Sequence, residues 1–364
     1  MHAPCGGNGR TRRRALPPPR PCAKIGPVTE PALPLRALLS LCAADALGAA
    51  TEFKTPEAIA AHYGPELRTY QPGSVFGFAP GEATDDSQMV VATLLGYARG
   101  EGPAGVLAAL REWLGTAPPD VGGLTRRALG LGTLDGGVRA WTESGFDAAG
   151  NGGLMRIAAP WLAGFRGAAL AREAAVLTAL THADPRCVHA SVFLTAFLEA
   201  LETGGPYAEA ARSALTVMDR FDAHAALVDA GLLGLETQAA WRALRERDRE
   251  ARAAVRARVR SGVEGGLTSQ SGYVLDTLEA ALAHGRRGDW LACIEPAARL
   301  GDDSDTVACV TGAIAGARGL PVPADLLPPL RLGHSWPGWE RAWRCTEELP
   351  GVLAAARGAL SHGP

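Results

Sequence analysis

Disulfide frameworks and zinc sites have no recognisable signature in this sequence. Its 364 residues include seven cysteines, an odd number, and no two of them form a CxxC pair. An HExxH motif is also missing. Scattered cysteines in apolar contexts favour buried thiols in a reducing compartment over disulfides or a zinc site. We therefore expect a cytoplasmic protein.

Long apolar runs and a strong net charge are missing as well. The best apolar candidate, LLSLCAADALGAA, is interrupted by Asp45 and is shorter than the roughly 18 residues of a membrane span. The formal net charge is −2 at pH 7, so the chain as a whole has no large basic field for nucleic acid. We expect no membrane partner, no nucleic-acid partner for the core domain, and a monomer.

β-Strand patterns are scarce, and helix-forming residues dominate. Aromatic residues make up 6% of the chain, and alternating runs of Val, Ile, Thr and Tyr are nearly missing. This predicts an all-α fold with one compact domain over residues 29–364. Residues 1–28, rich in Arg, Pro and Gly, predict a disordered N-terminal extension. The predicted helices cover residues 31–50, 86–100, 104–115, 123–131, 153–163, 167–181, 186–204, 207–228, 235–260, 271–285, 289–299, 305–318 and 338–360.

Two acidic clusters stand at the beginnings of predicted helices. Residues 84–88 read TDDSQ, and residues 301–306 read GDDSDT. Ser, Thr and Asp are good helix N-caps, so capping explains either cluster taken alone. Capping needs one oxygen, however, and crowded carboxylates repel one another. A hard divalent cation with oxygen ligands would offset that repulsion if the two helices are neighbours.

Six segments, in order along residues 33–320, resemble the ADP-ribosylglycohydrolase family. The resemblance implies an all-α fold of the orthogonal-bundle type and two divalent cations, Mg²⁺ or Mn²⁺. The sequence departs from the family pattern at Ala44 and Asp302, where glycine is usual. The segments are ADALGAATEF (44–53), TDDSQM (84–89), GNGGLMRIAAP (150–160), LTHADP (180–185), SGYVLDTLEAAL (271–282) and GDDSDTVACVTGAIAGARG (301–319).

The resemblance also implies roles for individual residues. Glu52 and Asp86 are the candidates for proton transfer. The metal ligands would be Thr84, Asp85, Asp86, Asp303, Asp305 and Thr306. Candidates for contact with the ligand are Asn151, Gly152, Gly153, His182 and Tyr273. For three of these, other interpretations stay open: a structural role in the loop for Asn151, a capping or core-edge position for His182, and core packing, which we favour, for Tyr273.

The implied activity is hydrolysis of the N- or O-glycosidic bond between ADP-ribose and a protein side chain or a small conjugate. Ligands that recognise the ribose cannot distinguish arginine, serine, base or small-molecule acceptors. Two alternatives therefore remain. One is a hydrolase of the same fold that acts on a different ribosyl metabolite. The other is a non-catalytic, crystallin-like structural relative, which the complete set of metal-ligand positions disfavours.

Overall fold

The computed structural model describes residues 32–333 and 343–361, and nearly all of their regular structure is helical. Two short strands, β1 (Arg331–Leu332) and β2 (Trp343–Arg344), pair antiparallel. The helices are α1 (Leu33–Gly48), α2 (Pro56–Tyr63), α3 (Asp85–Tyr97), α4 (Gly102–Gly115), α5 (Gly123–Leu131), α6 (Gly136–Glu143), α7 (Ala158–Ala163), α8 (Gly167–Ala179), α9 (Pro185–Glu202), α10 (Tyr207–Arg220), α11 (Ala223–Asp229), α12 (Gln238–Glu264), α13 (Val274–Gly285), α14 (Trp290–Ala298), α15 (Ser304–Ala317) and α16 (Cys345–Ser361).

The prediction of an all-α fold is confirmed, but several helix boundaries differ from expectation. The predicted helix over 207–228 is two helices, because Phe221 is extended and the Asp222 side chain caps α11 by accepting a hydrogen bond from the Ala225 N–H at 2.9 Å. The helices α2 and α6, each eight residues long, were missed, since so short a segment shows little periodicity. The predicted extension at 1–28 and the start of the predicted helix at 338–360 lie outside the described residues.

The small residues of α15 allow it to pack directly against α1. A Cβ atom added at Gly316 would lie 2.5 Å from the Cα of Ala37, and one added at Gly48 would lie 2.5 Å from the Cα of Asp305. Glycine is required where two backbones approach this closely. Every residue of α15 is buried. The close packing brings the acidic beginning of α15 to the end of α1, where Glu52 follows.

The helices form one continuous apolar core in the described part of the chain. None of the described helices combines the length and hydropathy that crossing a bilayer requires. The five cysteines among the described residues are all free and buried: Cys42, Cys187, Cys293, Cys309 and Cys345.

Candidate active site and metal centre

The first acidic cluster forms the beginning of α3. Thr84 is the N-cap residue, and its hydroxyl accepts a hydrogen bond from the Asp86 backbone N–H at 3.4 Å. Asp85 and Asp86 occupy the first helical turn, and both are buried. The helix dipole favours carboxylates here, but a single oxygen satisfies the cap. The carboxylates of Asp85 and Asp86 are therefore available for another partner.

Asp45, on α1, holds the beginning of α3 in place. Its buried carboxylate accepts hydrogen bonds from the backbone N–H and the hydroxyl of both Thr84 and Ser87, at 2.5–3.1 Å. Burial raises the pKa of Asp45 to about 6, while these hydrogen bonds act in the opposite direction. The sequence showed Asp45 only as a charge that interrupts an apolar run, so this positioning role was missed.

The second acidic cluster is fastened to the chain that follows Glu52. Two backbone hydrogen bonds join the segments: Phe53 N–H donates to the Asp302 carbonyl at 2.7 Å, and Asp302 N–H donates to the Lys54 carbonyl at 3.1 Å. Asp302 adopts a positive φ of 52°, which explains why glycine is favoured at this position. The Asp302 side chain is exposed, and the charge that follows in sequence, Asp303, faces the pocket instead.

The two clusters meet in one pocket of about 280 Å³. The Thr306 hydroxyl donates to Asp86 Oδ2 at 3.1 Å, which links α15 directly to α3. The beginnings of α3 and α15 therefore lie side by side, as the sequence predicted. Six carboxylates line the pocket: Glu52, Asp85, Asp86, Asp120, Asp303 and Asp305.

These carboxylates form two groups with metal-ligand spacing, and Asp305 belongs to both. Asp85, Asp86 and Asp305 form one group, and Glu52, Asp120 and Asp305 form the other. Within each group the ligand oxygens lie within 4.8 Å of one another. A carboxylate shared by two groups is able to bridge two cations.

The chemistry of these groups fits divalent metal ions. Glu52 Oε2, Asp86 Oδ1 and Asp305 Oδ1 are buried and have no hydrogen-bond partner in the described part of the chain. A buried acceptor without a partner is costly. Burial and the neighbouring carboxylates raise the pKa of Glu52, Asp85, Asp86 and Asp305 well above the ordinary values. Hard cations such as Mg²⁺ and Mn²⁺ would satisfy these oxygens and displace their protons.

Asn151 orients the remaining carboxylate of the second cluster. Its side-chain amide donates to Asp303 Oδ2 at 2.7 Å and to the Thr277 hydroxyl at 2.9 Å. The Asn151 backbone N–H donates to the Gly272 carbonyl at 3.0 Å. Asn151 therefore connects the glycine-rich segment to Asp303, and it also lines the pocket.

His182 lies beneath the glycine-rich segment at the wall of the pocket. A Cβ atom added at Gly152 would lie 2.9 Å from His182 Cε1, so glycine allows the backbone to rest on the imidazole. Burial, and to a smaller extent Arg156, lowers the pKa of His182 to about 3. Its Nδ1 hydrogen-bonds the Thr181 hydroxyl at 2.9 Å. A neutral ring therefore faces the ligand space.

Three of the predicted site residues do not line the carboxylate pocket. The Thr84 hydroxyl faces Asp45, to which it donates at 2.8 Å, and Gly153 packs against Thr178 and His182. Tyr273 lines a neighbouring cavity of about 520 Å³, where the Arg186 guanidinium lies 5.6 Å from its ring centroid. The other predicted residues, including Gly152 and Thr306, line the pocket itself.

Asp120 is the pocket carboxylate that sequence reasoning missed. It lies in the loop between α4 and α5, is half-buried, and has a carboxylate oxygen within 4.8 Å of those of Glu52 and Asp305. Its sequence context, APPDVGG, is typical of a turn, where Asp serves local hydrogen bonding. A single Asp in such a loop carries no spacing pattern that would reveal a ligand.

Comparison with known proteins places this geometry in a family. The sequence profile of ADP-ribosylglycohydrolase matches residues 35–359. The chain belongs to the ADP-ribosylglycohydrolase family. The predicted family resemblance is thus confirmed over nearly the whole described region.

Individual relatives of this ADP-ribosylglycohydrolase family member agree with that assignment. The chain is 37% identical over 125 residues to the ADP-ribosyl-[dinitrogen reductase] glycohydrolase of Rhodospirillum rubrum. That alignment covers 34% of this chain and 41% of the relative's length. A solved structure described as an ADP-ribosylglycohydrolase-related protein complex superposes with a TM-score of 0.59 at 26% identity. The superposition covers 90% of this chain and 97% of the other.

Proposed function

We propose that the protein is a metal-dependent hydrolase that cleaves the glycosidic bond between ADP-ribose and an acceptor side chain. The observation that carries the proposal is the pair of carboxylate groups sharing Asp305, with buried, unpartnered oxygens on Glu52, Asp86 and Asp305. Membership of the ADP-ribosylglycohydrolase family supports the substrate class. The named relative from Rhodospirillum rubrum removes ADP-ribose from a protein, and this supports a protein acceptor.

Two cations, Mg²⁺ or Mn²⁺, would occupy this centre. The first would be held by Asp85, Asp86 and Asp305, and the second by Glu52, Asp120 and Asp305. Asp303 and Thr306, which line the pocket, complete the proposed ligand set, whereas the Thr84 hydroxyl is engaged by Asp45. When bound, such cations supply charge stabilisation, grip neighbouring ribose hydroxyls and lower the pKa of water.

The carboxylates themselves would move the protons. Cleavage breaks the bond between C1″ of ADP-ribose and the acceptor atom, while a water oxygen bonds to C1″ through an oxocarbenium-like state. Glu52 lines the pocket and would take the proton of the attacking water through whichever of its two carboxylate oxygens does not hold a cation. Asp86 is the alternative base. The proton that Glu52 takes from the water then passes to the departing acceptor atom.

The ligand-side residues would orient the sugar rather than react with it. Asn151 fixes the Asp303 carboxylate through its amide. Gly152 lets the backbone of the glycine-rich segment approach a diphosphate closely, since backbone N–H groups are good phosphate donors. The neutral His182 supports that segment from below without adding charge. Tyr273, in the neighbouring cavity, would contact the ligand only if ADP-ribose extends that far.

We also propose a monomer in the cytoplasm. The buried free thiols of the described cysteines are compatible with a reducing compartment.

The experiment is a hydrolysis screen on arginine-, serine- and base-linked ADP-ribosyl conjugates, with release of ADP-ribose as the readout. We expect release from at least one conjugate with Mg²⁺ or Mn²⁺, and none in excess EDTA. Asp305→Asn should abolish release. Asp302→Asn is the matched control, because Asp302 lies three residues earlier, just before α15, and its side chain is exposed. Release that is unaffected by EDTA would refute the metal-dependent mechanism.

A further inference from the structure

An aromatic side chain stands exposed at the mouth of the carboxylate pocket. Phe53 directly follows Glu52, borders the pocket and is 61% exposed. Within residues 32–333 and 343–361, it is the one aromatic among the exposed large apolar side chains. Scattered leucines and valines on a protein surface are ordinary, whereas exposed apolar side chains grouped beside a functional pocket are typical of an interaction site.

The backbone holds this ring outward at a conformational cost. Phe53 has a φ of +55°, a left-handed conformation that bulky side chains rarely adopt. Two backbone hydrogen bonds hold this conformation: the Phe53 N–H donates to the Asp302 carbonyl, and the Asp302 N–H donates to the Lys54 carbonyl. The Lys54 ammonium donates to the carbonyls of Ala50 and Gly73, both at 2.7 Å, and so ties the segment to the loop over residues 73–78. The exposed ring is thus fixed in place.

The same loop supplies two more apolar side chains, of which Phe76 contacts the ring. Phe76 meets Phe53 edge to face, with ring centroids 5.9 Å apart. Val75 is 53% exposed. We call Phe53, Val75 and Phe76 the apolar rim. Through Phe53 the rim borders the pocket that holds the six carboxylates, so apolar and acidic side chains meet at the entrance.

We propose that the apolar rim binds the polypeptide surface around the ADP-ribosylated side chain, which makes modified proteins the preferred substrates of this pocket. The inference rests on the proposed function. Ribose and diphosphate are polar and charged, and they suit the proposed cations, the pocket carboxylates and the glycine-rich segment rather than the apolar rim. Aromatic and aliphatic anchors at the edge of a pocket are typical of protein recognition. Because Phe53 lines the pocket and is largely exposed, a protein whose modified side chain enters the pocket comes within reach of the rim.

The test compares two substrates with the same linkage, an ADP-ribosylated protein and the corresponding ADP-ribosylated free amino acid. The variant is Phe53→Asn, because asparagine tolerates a left-handed conformation and removes the apolar ring. We expect kcat/KM for the protein to fall about tenfold, the size typical of one lost aromatic anchor. For the amino-acid conjugate we expect less than about a twofold change, since it brings no polypeptide surface to the exposed face of the ring.

Two further variants sharpen the test. Val75→Ser should reduce protein turnover in the same selective way, but by less, and it leaves the strained backbone untouched. Leu235→Asn is the matched control, because Leu235 is 95% exposed and lies outside the lining of the pocket. It should change neither substrate's kinetics.

The outcomes that would overturn the proposal are distinct. Equal losses on both substrates, or weaker binding of free ADP-ribose by Phe53→Asn, would mean that the ring contacts the nucleotide instead. Unchanged turnover of the protein would mean that the rim binds nothing during turnover. A wild-type protein that hydrolyses neither conjugate would overturn the proposed function, and the rim proposal with it.

Discussion

Replacing Asp305 with asparagine should stabilise the metal-free protein, which is the opposite of what most buried substitutions do. Asp305 belongs to both carboxylate groups, and its oxygens lie within 4.8 Å of those of its neighbours. At an effective dielectric constant of about 20, two charges at that distance repel by about 3 kcal/mol. Asparagine removes the charge and adds an amide that is able to donate to Asp86 or Glu52.

Proton uptake by the cluster already relieves part of this repulsion, so the net gain is smaller than the full Coulomb energy. We expect Asp305→Asn to raise the free energy of unfolding by about 1–3 kcal/mol without metal. An unfolding entropy of about 2 cal/mol/K per residue gives about 0.7 kcal/mol/K for a domain of this size, so Tm should rise by about 1–4 °C.

With bound metal, the wild type should become more stable than Asp305→Asn. A cation at about one hundred times its Kd stabilises the wild type by about 2.7 kcal/mol for each site, and Asp305→Asn should lose that response. The assay is thermal unfolding in EDTA and in excess Mn²⁺, with Asp302→Asn as the control that behaves like the wild type. A variant that is less stable than the wild type in EDTA, or that keeps the full metal response, would refute the reasoning.

Three other changes test separate parts of the site and fold. Asp45→Asn should lower the free energy of unfolding by about 3 kcal/mol and weaken Mn²⁺ binding, because one amide oxygen cannot replace the carboxylate that holds Thr84. Denaturant titration measures the first effect and Mn²⁺ titration the second. An unchanged Mn²⁺ affinity would contradict the positioning role of Asp45. Glu52→Gln should reduce kcat about 10²- to 10⁴-fold without lowering stability in EDTA; near-normal single-turnover rates would remove Glu52 from the mechanism. Burial lowers the pKa of His284 from 6.5 to about 4, so only the unfolded chain gains a proton between these values, and stability falls on acidification. Between about pH 7 and about pH 5 the wild type should lose about 2 kcal/mol more than His284→Phe, and parallel pH profiles would contradict this.

The acidic site was predictable because most of its carboxylates are concentrated at two helix beginnings. Three aspartates in four positions exceed what capping requires, and that excess is visible in the sequence at Asp302, Asp303 and Asp305. In the structure, Asp303 and Asp305 line the pocket, but Asp302 does not. The positive φ of Asp302 turns its side chain to solvent, and Asn151 engages one oxygen of Asp303. Backbone conformation and long-range partners of this kind have no local sequence signature.

Other parts of the site could not be predicted, because tertiary packing creates them. Asp120 joins the pocket only when the loop between α4 and α5 folds towards Glu52. Asp45 becomes a positioning residue only because α3 begins beside α1. Tyr273 follows Gly272 directly, yet the two residues border different cavities. The all-α fold, in contrast, follows from composition and helical patterning along the whole chain.

The proposed function requires that the carboxylate pocket recognise ADP-ribose in a metal-dependent way. The decisive measurement is isothermal titration of the EDTA-stripped protein with ADP-ribose, in the absence and in the presence of excess Mg²⁺ or Mn²⁺. We predict binding only when a divalent cation is present, and loss of that binding in Asp305→Asn but not in Asp302→Asn. Binding of equal affinity with and without the cation, or no binding in either condition, would contradict the account.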